Sequence, residues 1–318
     1  MSVGATLVGS LLGVLDRPST WPLALAGFLI RGGWLLVVAP IVVLPTAVGL
    51  ANVIAPLLED IAFGRRPGEL VVLIIVTLLV VASWLIGGGL LAALAELEVV
   101  RRIAPDIVAG RRSGVATVDP WTAAWRIVAV RLAGYVPLAI ALIWGAARIV
   151  TVAYVELTVP SDVTVPLPWR IAASAPDAIV GIFAAWLLGE AIGAMGARSV
   201  ALHGSTARAA LRAAIARFAR SPVRSALLTV LPTIVLVGVV TLTGIAAGTA
   251  LGAVRSELAL GEISVSATAL LVVFVGLFAG GITLIALTTA WRAAIWTLDA
   301  TAEGNGTFGG VGGTRTGD

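Results

Sequence analysis

Residues 177–224 set what this chain can become. A Gly/Ala-rich apolar run with one acid, Glu190, leads without a break into a segment rich in arginine, from Arg198 to Arg224. An apolar run of about 18 residues or more can cross a bilayer as a helix. Lipid offers the backbone no hydrogen-bond partner, so a helix is the form such a run takes. Comparable runs recur at 34–58, 70 to about 100, a third ending near Glu156, 225–253 and 265 to about 290. Six spans are expected. Composition agrees: 59% of residues are hydrophobic and 12% charged, against roughly 25% charged in soluble domains.

The residue inventory removes much chemistry. All 21 basic residues are arginine, cysteine is missing and His203 is the one histidine. Disulfides, thiolate sites, lysine Schiff bases and multi-histidine metal centres are excluded. Only carboxylates, hydroxyls and arginines remain, so no cofactor, no metal and no enzyme activity are expected. No Gly-x-Ser-x-Gly elbow occurs. The glycines at 304, 306 and 309 have dinucleotide spacing but follow a membrane helix and precede a glycine tail, without the strand that fingerprint needs. Residues 1–15 lack a positive n-region and are interrupted by Asp16–Arg17, so they are expected to be retained rather than cleaved. The apolar segment 3–15 is too short to span.

Arginine first sets orientation in a membrane chain. With six spans and both termini cytoplasmic, Arg65, Arg66, Arg170 and Arg255 lie outside and Arg148 lies within a span. The remaining sixteen of the 21 arginines lie inside, a 16:4 partition. Residues 301–318, rich in glycine, are expected to be a disordered cytoplasmic tail.

Two segments match without gaps. Residues 123–133 (AAWRIVAVRLA) and 209–219 (ALRAAIARFA after Ala209) both read A-A-x-R-x-x-x-x-R-x-A, and each precedes a span with proline, Pro137 or Pro232. Trp125, Val128 and Leu132 in one, and Leu211, Ile215 and Phe218 in the other, fall on one helical face. Trp84-Leu-Ile-Gly87 also resembles Trp186-Leu-Leu-Gly189, and Gly280–Gly281 sits similarly in the sixth span. The implied unit is a short cytoplasmic-surface helix, a proline span and a glycine span. It is used three times, at about 17–100, 119–202 and 205–300, within one membrane domain, 1–300. Two spans per unit make the repeats parallel. The fold class is thus an all-α integral membrane protein whose six transmembrane helices form three parallel two-span repeats, each preceded by a short cytoplasmic-surface helix.

This order of elements, with A-A-x-R before spans three and five, resembles a broad group of bacterial six-span proteins. That group includes uncharacterised families and the membrane domain attached to some glycerophosphodiester phosphodiesterases. The resemblance covers most of residues 16–300 and implies a multi-pass protein of the cell membrane. The hydrolase's catalytic domain has no counterpart in these residues, so its activity is not implied.

Three groups of residues are candidates for function. Glu190 lies thirteen residues from Asp177, about 20 Å of helix rise into a core about 30 Å thick. A central charge costs about 2.5–3.5 kcal/mol on the insertion scale, against about 0.3–0.6 returned by each large apolar neighbour. Glu190 is therefore expected to turn toward other helices, with Arg148 as its partner; Arg148 can alternatively snorkel outward to Glu156 or headgroups. Gly189, Gly193 and Ala197 form a ridge for close helix packing, as does Gly87–Gly88–Gly89 unless it unwinds to line a cavity. Arg208, Arg212, Arg217 and Arg220, opposite Leu211, Ile215 and Phe218, form a basic helix face for anionic lipid headgroups or for a cytoplasmic or membrane protein partner. Nucleic acid is not expected, because aromatic interleaving is missing. The expected function is non-enzymatic membrane assembly, scaffolding or lipid interaction. The alternative is a transporter or channel with a path between repeats near Glu190 and Arg148.

Overall fold

The computed structural model describes residues 2–39, 41–42, 67–107, 118–259 and 264–307. Helix α1 is Val3–Leu15. Helix α2, Trp21–Phe28, passes through π-helical turns at Leu29–Gly33 into α3, Trp34–Val38. Helix α4, Pro67–Ser83, passes through a second π-helical stretch, Trp84–Gly88, into α5, Gly89–Ile107. There follow α6, Pro120–Gly134; α7, Val136–Thr158; α8, Leu167–Ser174; α9, Pro176–His203; α10, Ala207–Arg220; α11, Pro222–Leu258; and α12, Val265–Thr307. No strand occurs among the described residues.

Six stretches are long and apolar enough to cross a membrane: Pro18–Val38, Val71–Ala104, Pro120–Thr158, Pro176–His203, Pro222–Leu258 and Val265–Thr301. The protein is a multi-pass helical membrane protein. The first stretch begins upstream of the expected span at 34–58, most of which, with Pro40 and Pro45, lies outside the described residues. So do Arg65, Arg66, Arg111, Arg112 and residues 308–318. The last helix continues well past residue 290, through 301–307.

The caps follow from local chemistry. Ser2 accepts from the Ala5 amide at 3.3 Å, Asp119 from Thr122 at 2.9 Å and Thr206 from Ala209 at 3.4 Å, each satisfying an orphan donor of a first turn. Helix α9 ends on Gly204 at φ 64°, a left-handed position that glycine takes without penalty.

Two compact units are present. The first comprises Met1–Asp16, Leu97–Thr233 and Trp291–Asp318. Its spine is α9. Helices α6 and α7 run antiparallel to it in one register: Arg126 reaches the Gly204 carbonyl at 2.8 Å, Arg131 lies beside Gly193, Gly134 beside Gly189 and Gly145 beside Ile182. The small-residue ridge of α9 is what admits them. A Cβ on Gly189 would sit 3.0 Å from the Gly134 carbonyl oxygen and one on Gly196 would strike Val130, whereas one on Gly193 would make ordinary contact with Arg131 Cγ at 3.5 Å. Helix α10 bridges from α9, where Ala210 abuts Gly196, to the end of α12. Its Ala214, Leu211 and Phe218 join Ala191, Met195, Leu228, Ile295 and Trp296 in the core.

The expected surface helix before span three is instead the first part of a 39-residue rod, Pro120–Thr158. Tyr135, the residue between α6 and α7, keeps φ −88° and ψ 0°, close enough to helical values for the chain to continue. At the end of α10, Ser221 directly precedes Pro222 and leaves the helical region, φ −143° and ψ 62°, as steric contact with a following proline ring favours. There α10 ends.

The second unit comprises Arg17–Glu96 and Ile234–Ala290. Gly27 packs on Ala95 and Gly88 on the Ile30 carbonyl, where its Cβ would be 3.4 Å away. The triple glycine therefore coincides with local unwinding and with packing. Gly32, at φ 104°, bends the chain just after Arg31, which pairs with Glu96 at 2.5 Å. Gly281 lies against Thr243. Helix α4 exposes Val71, Leu78, Leu79 and Val80, as a surface solvated by lipid does.

Candidate functional site

One cluster of polar residues in the first unit lies where the last turns of α12 meet α9, α10 and α11. Glu190, on α9, accepts a hydrogen bond from the Tyr135 hydroxyl and a longer one, 3.4 Å, from Arg292 Nη2. The close approach of Gly134 and Gly189 brings Tyr135 to it. Two turns further along α9, Arg198 is 2% exposed. Its Nε donates to Thr297 Oγ1 and its Nη2 to the Ala293 carbonyl, both at 3.0 Å. Asp299 is buried and receives two arginines: Arg217 Nη2 at 2.6 Å on one oxygen, Arg224 Nη2 at 2.5 Å on the other. Arg217 also donates to the Asp299 carbonyl at 3.0 Å. Charge-assisted bonds of this kind are roughly twice as strong as neutral ones. One carboxylate thereby joins α10, α11 and α12.

The expected Glu190–Arg148 pair does not form. Arg148 is held by Asp177 at 3.5 Å, both side chains about half exposed. The antiparallel register is the reason: it sets residue 148 beside residue 177 and residue 135 beside residue 190, so Tyr135 shares the depth of Glu190. Arg148 turns toward the start of α9, away from Glu190.

The four-arginine face is also divided. Arg217 follows Arg208 by nine residues, half a turn out of phase at 100° per residue, and so points inward to Asp299. Arg208, Arg212 and Arg220 are exposed, with no side-chain partner among the described residues. Leu211 and Phe218 are engaged in the protein core, while Ile215 is exposed beside the arginines. The apolar side of α10 is thus occupied by protein.

Two groups escaped sequence reasoning. Arg292 and Asp299 stand beyond the expected end of the sixth span near 290, although an acid and a base seven residues apart after an apolar run signal a helix that continues. At the Thr158 end of α7, buried Glu156 accepts from the Ser161 amide at 3.1 Å, the Ser161 hydroxyl at 2.9 Å, Ser174 at 3.1 Å and Arg170 at 3.2 Å. This ties the 159–175 connection, with its exposed Trp169, to the helix. In the same connection, hydrogen bonds from the Thr164 hydroxyl and amide hold the Asp162 carboxyl below its ordinary range. Comparison with protein-family models, curated proteins and solved structures returned no match.

Proposed function

We propose that this chain is a non-enzymatic scaffolding protein of a bacterial cell membrane, with both termini cytoplasmic, whose α10 face engages anionic lipid headgroups. The observation that carries the reading is the division of the arginines. Arg126, Arg198, Arg217 and Arg224 are each bonded within the first unit, whereas Arg208, Arg212 and Arg220 are exposed and have no side-chain partner among the described residues. Internal ties hold a frame rigid; an unmatched cationic face recognises an anionic surface, at about 1 kcal/mol per charge near the membrane.

The threefold repeat fits this reading. In each implied repeat a polar tie joins the short helix or its end to the final span: Arg31 to Glu96, Tyr135 to Glu190 and Arg217 to Asp299. The test is vesicle binding by the purified protein in nanodiscs of neutral lipid. Changing Arg208, Arg212 and Arg220 together to Gln should weaken association with vesicles containing phosphatidylglycerol by about 3 kcal/mol at low salt, with no loss of fold. Equal association by both forms refutes the proposal.

A transport path is the second reading. It draws on Glu190 and Arg292, whose side chains stay 20% and 27% exposed at membrane depth, and no longer includes Arg148. Uptake by proteoliposomes that changes in Glu190→Gln without loss of stability would favour it.

A further inference from the structure

Helix α1 packs Val3 and Leu7 on the core, yet the face it turns outward is unsuited to water. Its buried positions are Thr6, Ser10 and Val14, two of the three polar. Its outward positions are apolar: Val8 is 59% exposed and Leu12 57%, with Leu15 close behind. A helix on a protein surface in water turns its apolar stripe inward. The inward hydroxyls here are satisfied. Thr6 donates to the Ser2 carbonyl at 3.1 Å and Ser10 to the Leu7 carbonyl at 2.9 Å. From α12, the Trp291 indole N–H reaches both the Leu7 carbonyl, at 3.0 Å, and the Ser10 hydroxyl, at 3.1 Å. Small hydroxyl residues between helices and aliphatic residues outside are the arrangement of a helix solvated by lipid.

We infer that α1 is embedded in a single leaflet, with acyl chains covering Val8, Leu12 and Leu15. The helix carries no charged side chain between Val3 and Leu15. Its 13 residues rise about 20 Å, short of the about 30 Å hydrocarbon core, so it enters the bilayer without crossing it. Its seat identifies the leaflet. Trp291, and Leu298, which lies beside Gly9, belong to the closing turns of the last membrane-crossing stretch, Val265–Thr301, next to Arg292 and Asp299. The helix is therefore held at the arginine-bearing end of that stretch, with Asp16–Arg17 as the polar residues that follow it.

The chain has no cysteine, so single nitroxides report cleanly. The labelled variants are Val8→Cys and Leu12→Cys in proteoliposomes, with Ile143→Cys on the exposed face of α7 as the lipid reference and Val163→Cys in the 159–175 connection as the aqueous one. Power saturation should show oxygen collision exceeding that of a water-soluble nickel complex several-fold at 8 and 12, as at 143. A ratio like that at 163 would place α1 in water and overturn the inference. Low accessibility to both relaxants would show that protein covers the face, and would overturn it equally. Both substituted positions are exposed, so the two variants test the same claim independently.

Discussion

Helices α6 and α10 share the pattern A-A-x-R-x-x-x-x-R-x-A, yet they do different things. Their second arginines both turn inward, Arg131 to the α9 ridge and Arg217 to Asp299. Their first arginines part company: Arg126 closes on the Gly204 carbonyl, while Arg212 is exposed. The outward faces are opposite in character. Helix α6 shows Trp121, Trp125 and Leu132, residues suited to the membrane interface; α10 shows Arg208, Arg212 and Arg220. A shared motif thus fixes the inward half of a helix, where packing is exacting, and leaves the outward half free to specialise. The junctions differ too, since Ser221–Pro222 ends α10 while Tyr135 lets α6 run on into α7.

The largest effect should come from the shared inward arginine position. Asp299→Ala strands Arg217 and Arg224 without their carboxylate, and removing one partner of a buried pair costs about 3–5 kcal/mol. Titration with SDS in mixed micelles should show that loss. A cost below about 1 kcal/mol, the range of exposed pairs, would mean that α10 is not held through Asp299.

Next comes the ridge that receives α6. Gly189→Val places a Cβ 2.7 Å from the Tyr135 ring and 3.0 Å from the Gly134 carbonyl oxygen, and should cost about 1–3 kcal/mol as overpacking does. Gly193→Ala meets only ordinary contact at 3.5 Å and should be tolerated. The same unfolding titration compares them; equal costs would contradict the close seating of α6 at Gly189.

The matched first arginines sharpen the contrast. Arg126→Gln loses a charge-assisted bond to Gly204 and should cost about 1.5 kcal/mol. Arg212→Gln should change stability by less than about 0.5 kcal/mol while lowering vesicle association. Smaller still is Arg148→Gln: its exposed pair with Asp177 is worth at most about 1 kcal/mol, and Glu190 should be indifferent to it in a double-mutant cycle.

Much of the fold was legible because apolar runs must become helices in lipid, and the arginine motif located α6 and α10. Glu190 stood out as a lone acid at depth. Its partners did not. Counting residues from each end estimates depth, but Tyr135 meets Glu190 through the register of α6 and α7 against α9, set by contacts such as Gly134 on Gly189 that no linear count contains. Arg292 and Asp299 looked like the end of a span because charge interrupts the apolar run; the helix continues because Glu190, Arg217 and Arg224 neutralise them. Sequence alone groups Arg217 with Arg208, Arg212 and Arg220; the half-turn between Arg208 and Arg217 separates them once Asp299 gives the inner side of α10 a partner.

The central claim is that the arginines of α10 divide into one that holds the fold and three that face the membrane. The most direct measurement sets Arg217→Gln beside the Arg208, Arg212, Arg220 triple Gln variant, scoring each for SDS-induced unfolding and for salt-sensitive association with vesicles containing phosphatidylglycerol. The account predicts a crossed result. Arg217→Gln should lose stability while any folded fraction still binds, and the triple variant should keep its stability and lose binding. Loss of binding by a fully stable Arg217→Gln protein, or undiminished binding by the triple variant, would contradict it.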